Sequence, residues 1–387
     1  MAGTVLLTLG RLPKGLDIAR SFDALGWRVI VAEPFDWNLC ALSKSVSKSY
    51  AVPAPNTDID GYYDAMRDIV RREHIDLIVP ISEETLHVSA LKGQLPDKPK
   101  IFCGNHDALL KLHDKLAFAT SLQDTGLRAP LTATLTSPEA LAIAEAGGYI
   151  VKDRFGASGS RIQFLKQGDA LPKDRPNAIV QERLLGREIS TFSIVHAGKV
   201  SQTVVYEPVI RDGTVATVFQ RIVDTDPDAR GACELAASVA ATSGHTGFLS
   251  FDLMATGPGE VVAFECNPRA NSGIHFIETA AIAPAIKSAG EPVPLRKSTR
   301  LQQAYPTLTL LWGSLGRWSR YRQVGKALLT TRDVSWGWRD PLPFILMTPA
   351  TWPLIKQSIF QGRSLGEAAI ADIGWFGEPS NPVKATV

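Results

Sequence analysis

The stretch VVAFECNPRANSG, Val261 to Gly273, ends an apolar run of strand character in an acid, an amide, a proline and an arginine. Alternate residues of a strand face one side, so Glu265 and Asn267 point together. The preceding run, TGFLSFDLMATGPGE, reads as the other arm of a hairpin turning around Gly257 and Gly259, and it carries Asp252. Two carboxylates and an amide carbonyl are hard oxygen donors suited to Mg²⁺, which takes one or two protein carboxylates, waters and phosphate oxygens. Arg269 adds a planar cationic fork that matches a phosphate or acyl phosphate. The plain alternative is a capped strand end with a surface ion pair.

A divalent cation alone does not imply a nucleotide, but other residues add to it. In GYIVKDRFGASGSRIQFL, Lys152 sits on a strand ahead of Gly156, Ala157, Ser158, Gly159 and Ser160, a loop whose backbone N–H groups can wrap phosphates. Taken alone, the loop is a plain hairpin turn. Lys115 lies upstream as a second cation, or as a solvated helix charge. In QERLLGREI, Gln181, Glu182 and Glu188 surround a break where a strand edge can read an adenine and an acid can accept from ribose hydroxyls. Either acid reads equally as a surface charge.

Other chemistries lack their residues. The turn LGRLPKG after the first strand is not GxGxxG, and the lysine before FGASGS is in the wrong place for a P-loop. No Gly-x-Ser-x-Gly elbow occurs. Cys40, Cys103, Cys233 and Cys266 form no CxxC pair, and the histidines form no HxxxH or HExxH array, so no zinc site is expected.

These residues need elements to hold them. TVLLTL, GLDIARSFDALG and RVIVAE read as strand, amphipathic helix and strand; YYDAMRDIVRREHI, DLIVPI and KIFCG continue the alternation. A doubly wound parallel sheet is the natural solution. Arg11 and the pair Glu83 and Glu84 follow strand ends, where such sheets place ligand contacts. HDALLKLHDKLAFATSLQDTG reads as helical, and EPVPLRKSTRLQQAYP as a connecting loop. With 387 residues, 45% of them hydrophobic, the chain suits two or three globular domains. A net charge of +2 with mixed signs argues against a nucleic-acid footprint. No signal peptide or membrane span is read, so the cytoplasm is the expected compartment.

From about Lys111 to Phe276 the chain resembles the ATP-grasp superfamily of ligases, and the upstream sheet looks like its pre-ATP-grasp domain. The resemblance matches Lys115 and Lys152 to phosphate-binding lysines, FGASGS to the loop closing over the phosphates, and IVQERLLGREI to the strand reading adenine and ribose. It matches Asp252 and the E-x-N-P-R of Glu265, Asn267 and Arg269 to the metal and phosphate signature. Arg161 departs from the small residue many relatives carry there. The tail ending AIADIGWFGE looks like the carbamoyl-phosphate-synthase-like branch.

The resemblance implies an α/β fold with three parts: a doubly wound pre-ATP-grasp domain over 1–110, an ATP-grasp domain of two α+β subdomains over 111–285, and a mainly helical segment over 286–387. It implies ATP with Mg²⁺, or Mn²⁺ in its place, held by Asp252, Glu265 and Asn267. Nucleotide contacts would come from Lys115, Lys152, Gly156, Ser158, Gly159, Ser160, Gln181, Glu182 and Glu188, with Arg269 and Lys152 catalytic. The implied reaction joins a small-molecule carboxylate to an amine through an acyl phosphate, releasing ADP and phosphate. The alternatives are a regulatory or scaffold protein that keeps the ATP clamp, and a carboxylase or carbamoyl-phosphate-forming subunit. A homodimer fits either.

Trp312, Trp318, Trp336, Trp338, Trp352 and Trp375 crowd the last quarter. The expectation is a helical cap that buries these rings against the upstream domains. A pocket wall or subunit interface is the second reading, and a helix lying on a membrane surface the third, since Arg317, Arg320, Arg322 and Lys326 flank apolar positions.

Overall fold

Short apolar runs separated by amphipathic helices have few ways to hide both faces of a sheet, and the first hundred residues adopt the parallel solution. Strands β1 (Thr4–Leu7), β2 (Arg28–Glu33), β3 (Lys48–Ala51), β4 (Leu77–Val79) and β5 (Lys100–Ile101) are parallel in the order β3-β2-β1-β4-β5. The computed structural model describes residues 2–156, 162–175, 177–213, 215–290, 293–362 and 365–377. Helices Pro13–Ala24 and Ile59–Glu73 cross between strands; Asp58 caps the second by accepting from the Gly61 amide. Strand order reverses at β1, so the crevice beyond the ends of β1 and β4 collects Arg11 and Glu83.

The helical stretch after Asn105 is two helices, His106–His113 and Lys115–Asp124, rather than one. Asp114 makes the break: its carboxylate accepts from the Leu116 and Ala117 amides and starts a new helix. This places Lys115 in the first turn of the second helix.

Two antiparallel sheets follow. Strands β6 (Thr132–Thr134), β7 (Tyr149–Asp153), β8 (Gln163–Leu165) and β9 (Ala178–Glu182) stand in the order β6-β9-β7-β8. The larger sheet holds β10 (Arg187–His196), β11 (Lys199–Asp212), β12 (Val215–Arg221), β13 (Gly247–Gly257), β14 (Glu260–Asn267), β15 (Arg300–Gln302) and β16 (Arg332–Asp333). Its order is β14-β13-β10-β11-β12-β15-β16, with helix Pro227–Ser243 packed on the aliphatic face. The expected connecting loop thus contains a strand, because the open edge of β12 takes Arg300–Gln302 as an antiparallel partner.

Helices Ala304–Trp312, Trp318–Thr330 and Met347–Gln361 dominate the tail. They bury small and aliphatic residues: Leu310, Val324 and Ala327 pack on Ile210 and Val218 of the large sheet. Trp312, Trp318, Trp338 and Trp352 are instead exposed. The expected burial of the tail's rings therefore fails for these four, since the sheet face they would cover is already filled.

Three buried histidines, His87, His113 and His245, each leave one ring nitrogen without a hydrogen-bond partner. Burial lowers each to about 4 from its ordinary 6.5. The unfolded chain therefore binds more protons between those values. The contribution of these histidines to stability is complete above pH 6.5 and is lost as pH drops towards 4, by about 1.4 kcal/mol per pKa unit for each group. The urea midpoint is expected to fall steadily from pH 7 to pH 5 and to fall less in His113→Gln; a flat midpoint over that window would contradict it.

Candidate active site

The hairpin of β13 and β14 sets Asp252 directly opposite Glu265, and Ser250 opposite Asn267. The third strand, β10, brings Ser190 opposite Asp252, and the Ser190 hydroxyl donates to Asp252 Oδ1 at 2.8 Å. Asn267 Nδ2 donates to Asp252 Oδ2 at 3.1 Å, while Asn267 Oδ1 accepts from Arg269 at 3.1 Å. Arg269 also pairs with Glu83 at 2.5 Å, tying this turn to the crevice of the parallel sheet. Of the two acids after β4, only Glu83 serves the site. Glu84 is structural, accepting from Thr8 and from the Ile81 and Ser82 amides.

Two lysines approach from other elements. Lys115 Nζ lies 3.4 Å from Glu265 Oε1 and donates to the Gly156 carbonyl at 2.7 Å. Lys152 on β7, in the smaller sheet, donates to the Phe264 carbonyl of β14 at 3.2 Å. Both are buried. Burial lowers Lys152 to about 8, against the opposing pull of Glu265. Burial would raise Glu265, but Lys115, Lys152 and Arg269 overturn that and hold it below the usual carboxylate range. Asp252 lacks a cation so close; burial and then the charge of Glu265 push it up to about 6. Two neighbouring carboxylates, one carrying the other's repulsion, are a place where an added cation lowers the energy.

Among the described residues no group of three or more His, Cys, Asp or Glu side chains could hold a metal. The set here is two carboxylates and an amide, all oxygen donors, which fits a hard cation that keeps water and phosphate oxygens. For Asn267 to serve it, its carbonyl would exchange Arg269 for the ion.

Glu83, Lys152, Ser190, Asp252, Glu265, Asn267 and Arg269 line one cavity of about 770 Å³ between the two antiparallel sheets and the crevice, and Lys115 stands outside its lining. Gln181, Glu182 and Glu188 line it too. Gln181 is buried and donates to Thr132 at 2.9 Å, and Glu188 pairs with Arg211 at 2.7 Å. The break between them needs glycine: Gly186 has φ of +157°, and a Cβ there would lie 2.0 Å from the Ala255 carbonyl. Gly156 precedes the small-residue loop, whose Ser158, Gly159 and Ser160 lie outside the described residues.

The sequence reading passed over three further groups. Lys14 is buried and donates to the Ala270 carbonyl at 2.6 Å and to Ser82 at 3.0 Å; burial, then Arg269, lowers it to about 7. Asp17 takes His275 Nδ1 at 2.7 Å and Arg296 at 2.9 Å. Lys14 and His275 line the cavity. No local motif marks them, because each acts with a partner more than two hundred positions away.

Residues 112–273 match the family model described as an ATP-grasp domain. Among solved structures, N5-carboxyaminoimidazole synthetase from Staphylococcus aureus, complexed with ADP, is 15% identical and gives a TM-score of 0.59, covering 76% of this chain and 80% of that one. A biotin carboxylase–β,γ-ATP complex from Campylobacter jejuni is 16% identical with a TM-score of 0.61, covering 76% and 72%. An L-amino acid ligase from Bacillus licheniformis is 15% identical with a TM-score of 0.56, covering 74% of each chain. No curated protein matches the chain in sequence.

Proposed function

We propose that this chain, an ATP-grasp protein by its residues 112–273, is an ATP-dependent ligase that joins a carboxylate to an amine through an acyl phosphate. The observation that carries the reading is the convergence of Lys115 and Lys152 on the Asp252–Glu265 pair from separate elements. In this reading residues 1–110 are the pre-ATP-grasp domain, 111–285 hold ATP and metal, and 286–387 form the segment on the substrate side.

A substrate carboxylate oxygen attacks the γ-phosphorus, and the bond from that phosphorus to the ADP oxygen breaks. The amine nitrogen then attacks the acyl carbon, and phosphate leaves with the acyl C–O bonding pair. Lys152 and Lys115, both buried, and Arg269 stabilise the charge on the transferring group. Mg²⁺ held by Asp252, Glu265 and Asn267 would neutralise charge on the β and γ phosphates. Gln181, Glu182 and Glu188 would seat adenine and ribose. No covalent enzyme nucleophile is needed, so catalysis rests on position and fixed charge.

Incubation with Mg-ATP and paired acids and amines is expected to release ADP and phosphate. Release of AMP and pyrophosphate would refute the acyl-phosphate route. Turnover stimulated by bicarbonate without an amine would favour carboxylation, the chemistry named for two of the structural neighbours. Binding of ATP without turnover under every pair would favour a regulatory clamp. Lys152→Ala removes one charge-assisted bond to phosphate, so ATP binding and turnover are both expected to fall by about 10- to 100-fold. Unchanged ATP affinity by calorimetry would remove Lys152 from the site.

A further inference from the structure

The tail exposes apolar side chains in an ordered way. On helix Trp318–Thr330 the inner face is Val324 and Ala327, and the outer stripe is Trp318, Arg322, Lys326 and Leu329, at helical spacing. Trp318 is 70% exposed and Leu329 87% exposed. Helix Met347–Gln361 repeats the pattern. Ala350 and Leu354 face inward, while Trp352, Lys356, Ile359 and Phe360 face out, with Phe360 84% exposed. Lys356 lies over the Trp352 ring at 6.0 Å from its centroid. The second helix borders the active-site cavity from its other side, through Met347, Thr351 and Leu354.

The charges on this surface have one sign. Between Ala304 and Gly362 the only acids are Asp333 and Asp340, both buried. Asp333 accepts from the Ala304 and Ser335 amides, and Asp340 pairs with Arg20 and accepts from Ser43. Arg317, Arg322, Lys326, Arg332, Arg339 and Lys356 remain exposed.

We propose that this tail is a docking surface for anionic phospholipid membranes, lying in the interface without crossing it. Among the described residues no helix is long and apolar enough to cross a membrane. Tryptophan and aliphatic residues beside Arg and Lys fit the boundary between acyl chains and negative headgroups. A second copy is the poorer occupant, since two such faces would meet with like charge. Nucleic acid offers the phosphates but no acyl phase for Leu315, Leu329, Ile359 and Phe360.

The test uses the full chain with vesicles of phosphatidylcholine alone and of phosphatidylcholine with phosphatidylserine. Sedimentation with the second and much less with the first is expected, with a blue shift of tryptophan emission and weakening in high salt. Arg322→Glu with Lys326→Glu is expected to weaken binding by about 100-fold or more, and Trp318→Ala with Phe360→Ala to abolish the blue shift. These side chains are exposed, so circular dichroism and melting should match wild type, which keeps a loss of binding interpretable. The proposal is overturned by failure to sediment with phosphatidylserine vesicles at low salt, or by unchanged binding of the charge-reversed variant. A concentration-dependent dimer that the aromatic variant abolishes would overturn it, as would binding to duplex DNA but not to vesicles.

Discussion

Glu265→Gln is expected to reduce ATP turnover by about 100-fold or more while leaving the fold intact. The side chain keeps its size, and its strand neighbours Phe264 and Cys266 keep their places. What changes is charge at one point. Glu265 holds Lys115 at 3.4 Å and is itself kept ionised by Lys115, Lys152 and Arg269. Without that charge, Asp252 is the single acid left in the hairpin, where burial alone still opposes its ionised form. Any divalent cation loses its better ligand. The two lysines meanwhile lose a competing anion, so the ATP concentration giving half-maximal rate should move by less than the rate itself. Steady-state kinetics over a range of Mg²⁺ concentrations check this. A variant within tenfold of wild type, or one whose loss Mg²⁺ titration shows to be independent of metal, would sink the metal role of Glu265. Asp252→Asn makes a companion; if only Glu265 mattered, Asn267 and Asp252 would be structural residues holding each other.

What the sequence made legible divides along physical lines. Glu265, Asn267 and Arg269 lie within five residues on one strand end, so strand periodicity alone puts them on one face, and the hairpin turn brings Asp252 in. Lys152 and Lys115 are legible because each sits where an element starts or ends, although Asp114 splitting one helical run in two was not foreseen. Glu83 was visible only as an acid after a parallel strand; its bond to Arg269 depends on packing between the first sheet and the third. Lys14, Asp17 and His275 were invisible for the same reason, since local pattern carries no information about which distant carbonyl or carboxylate waits opposite. The tail misled in a different way. Tryptophan content predicts burial on average, but average burial does not say which face of a helix is inward. Val324 and Ala327 took that face, and the rings went out.

Arg11 shows how one buried cation joins two ends of the chain, and its loss should be the largest single effect on stability. It follows β1 and donates from Nε to Glu33 Oε1 at 2.7 Å, at the end of β2. Its outer nitrogens reach Asp372 at 2.7 Å and 2.9 Å, in the last described turn of the tail. Glu33 is fully buried and also accepts from the Gly10 and Arg11 amides at 2.9 Å each. Burial opposes the charge on Arg11, and Glu33 and Asp372 more than restore it. Arg11→Met keeps a stem of similar length under the Phe35 ring but leaves the Glu33 carboxylate without its cation. Breaking a buried pair from one side costs about 3–5 kcal/mol, because the surviving charge is stranded. Glu33→Gln in the same chain should recover part of that, and the double-mutant cycle reads the coupling. Asp372 is less enclosed and can return to water, so Asp372→Asn should cost less than Arg11→Met. The two variants separate a further question, whether the tail is held by this contact. If Arg11 is the latch, both should speed proteolysis ahead of Leu365, while only Arg11→Met lowers the urea midpoint strongly. If Arg11→Met unfolds within about 1 kcal/mol of wild type, the pair is a surface-like contact in energetic terms, and the tail is held by its packing on the large sheet instead.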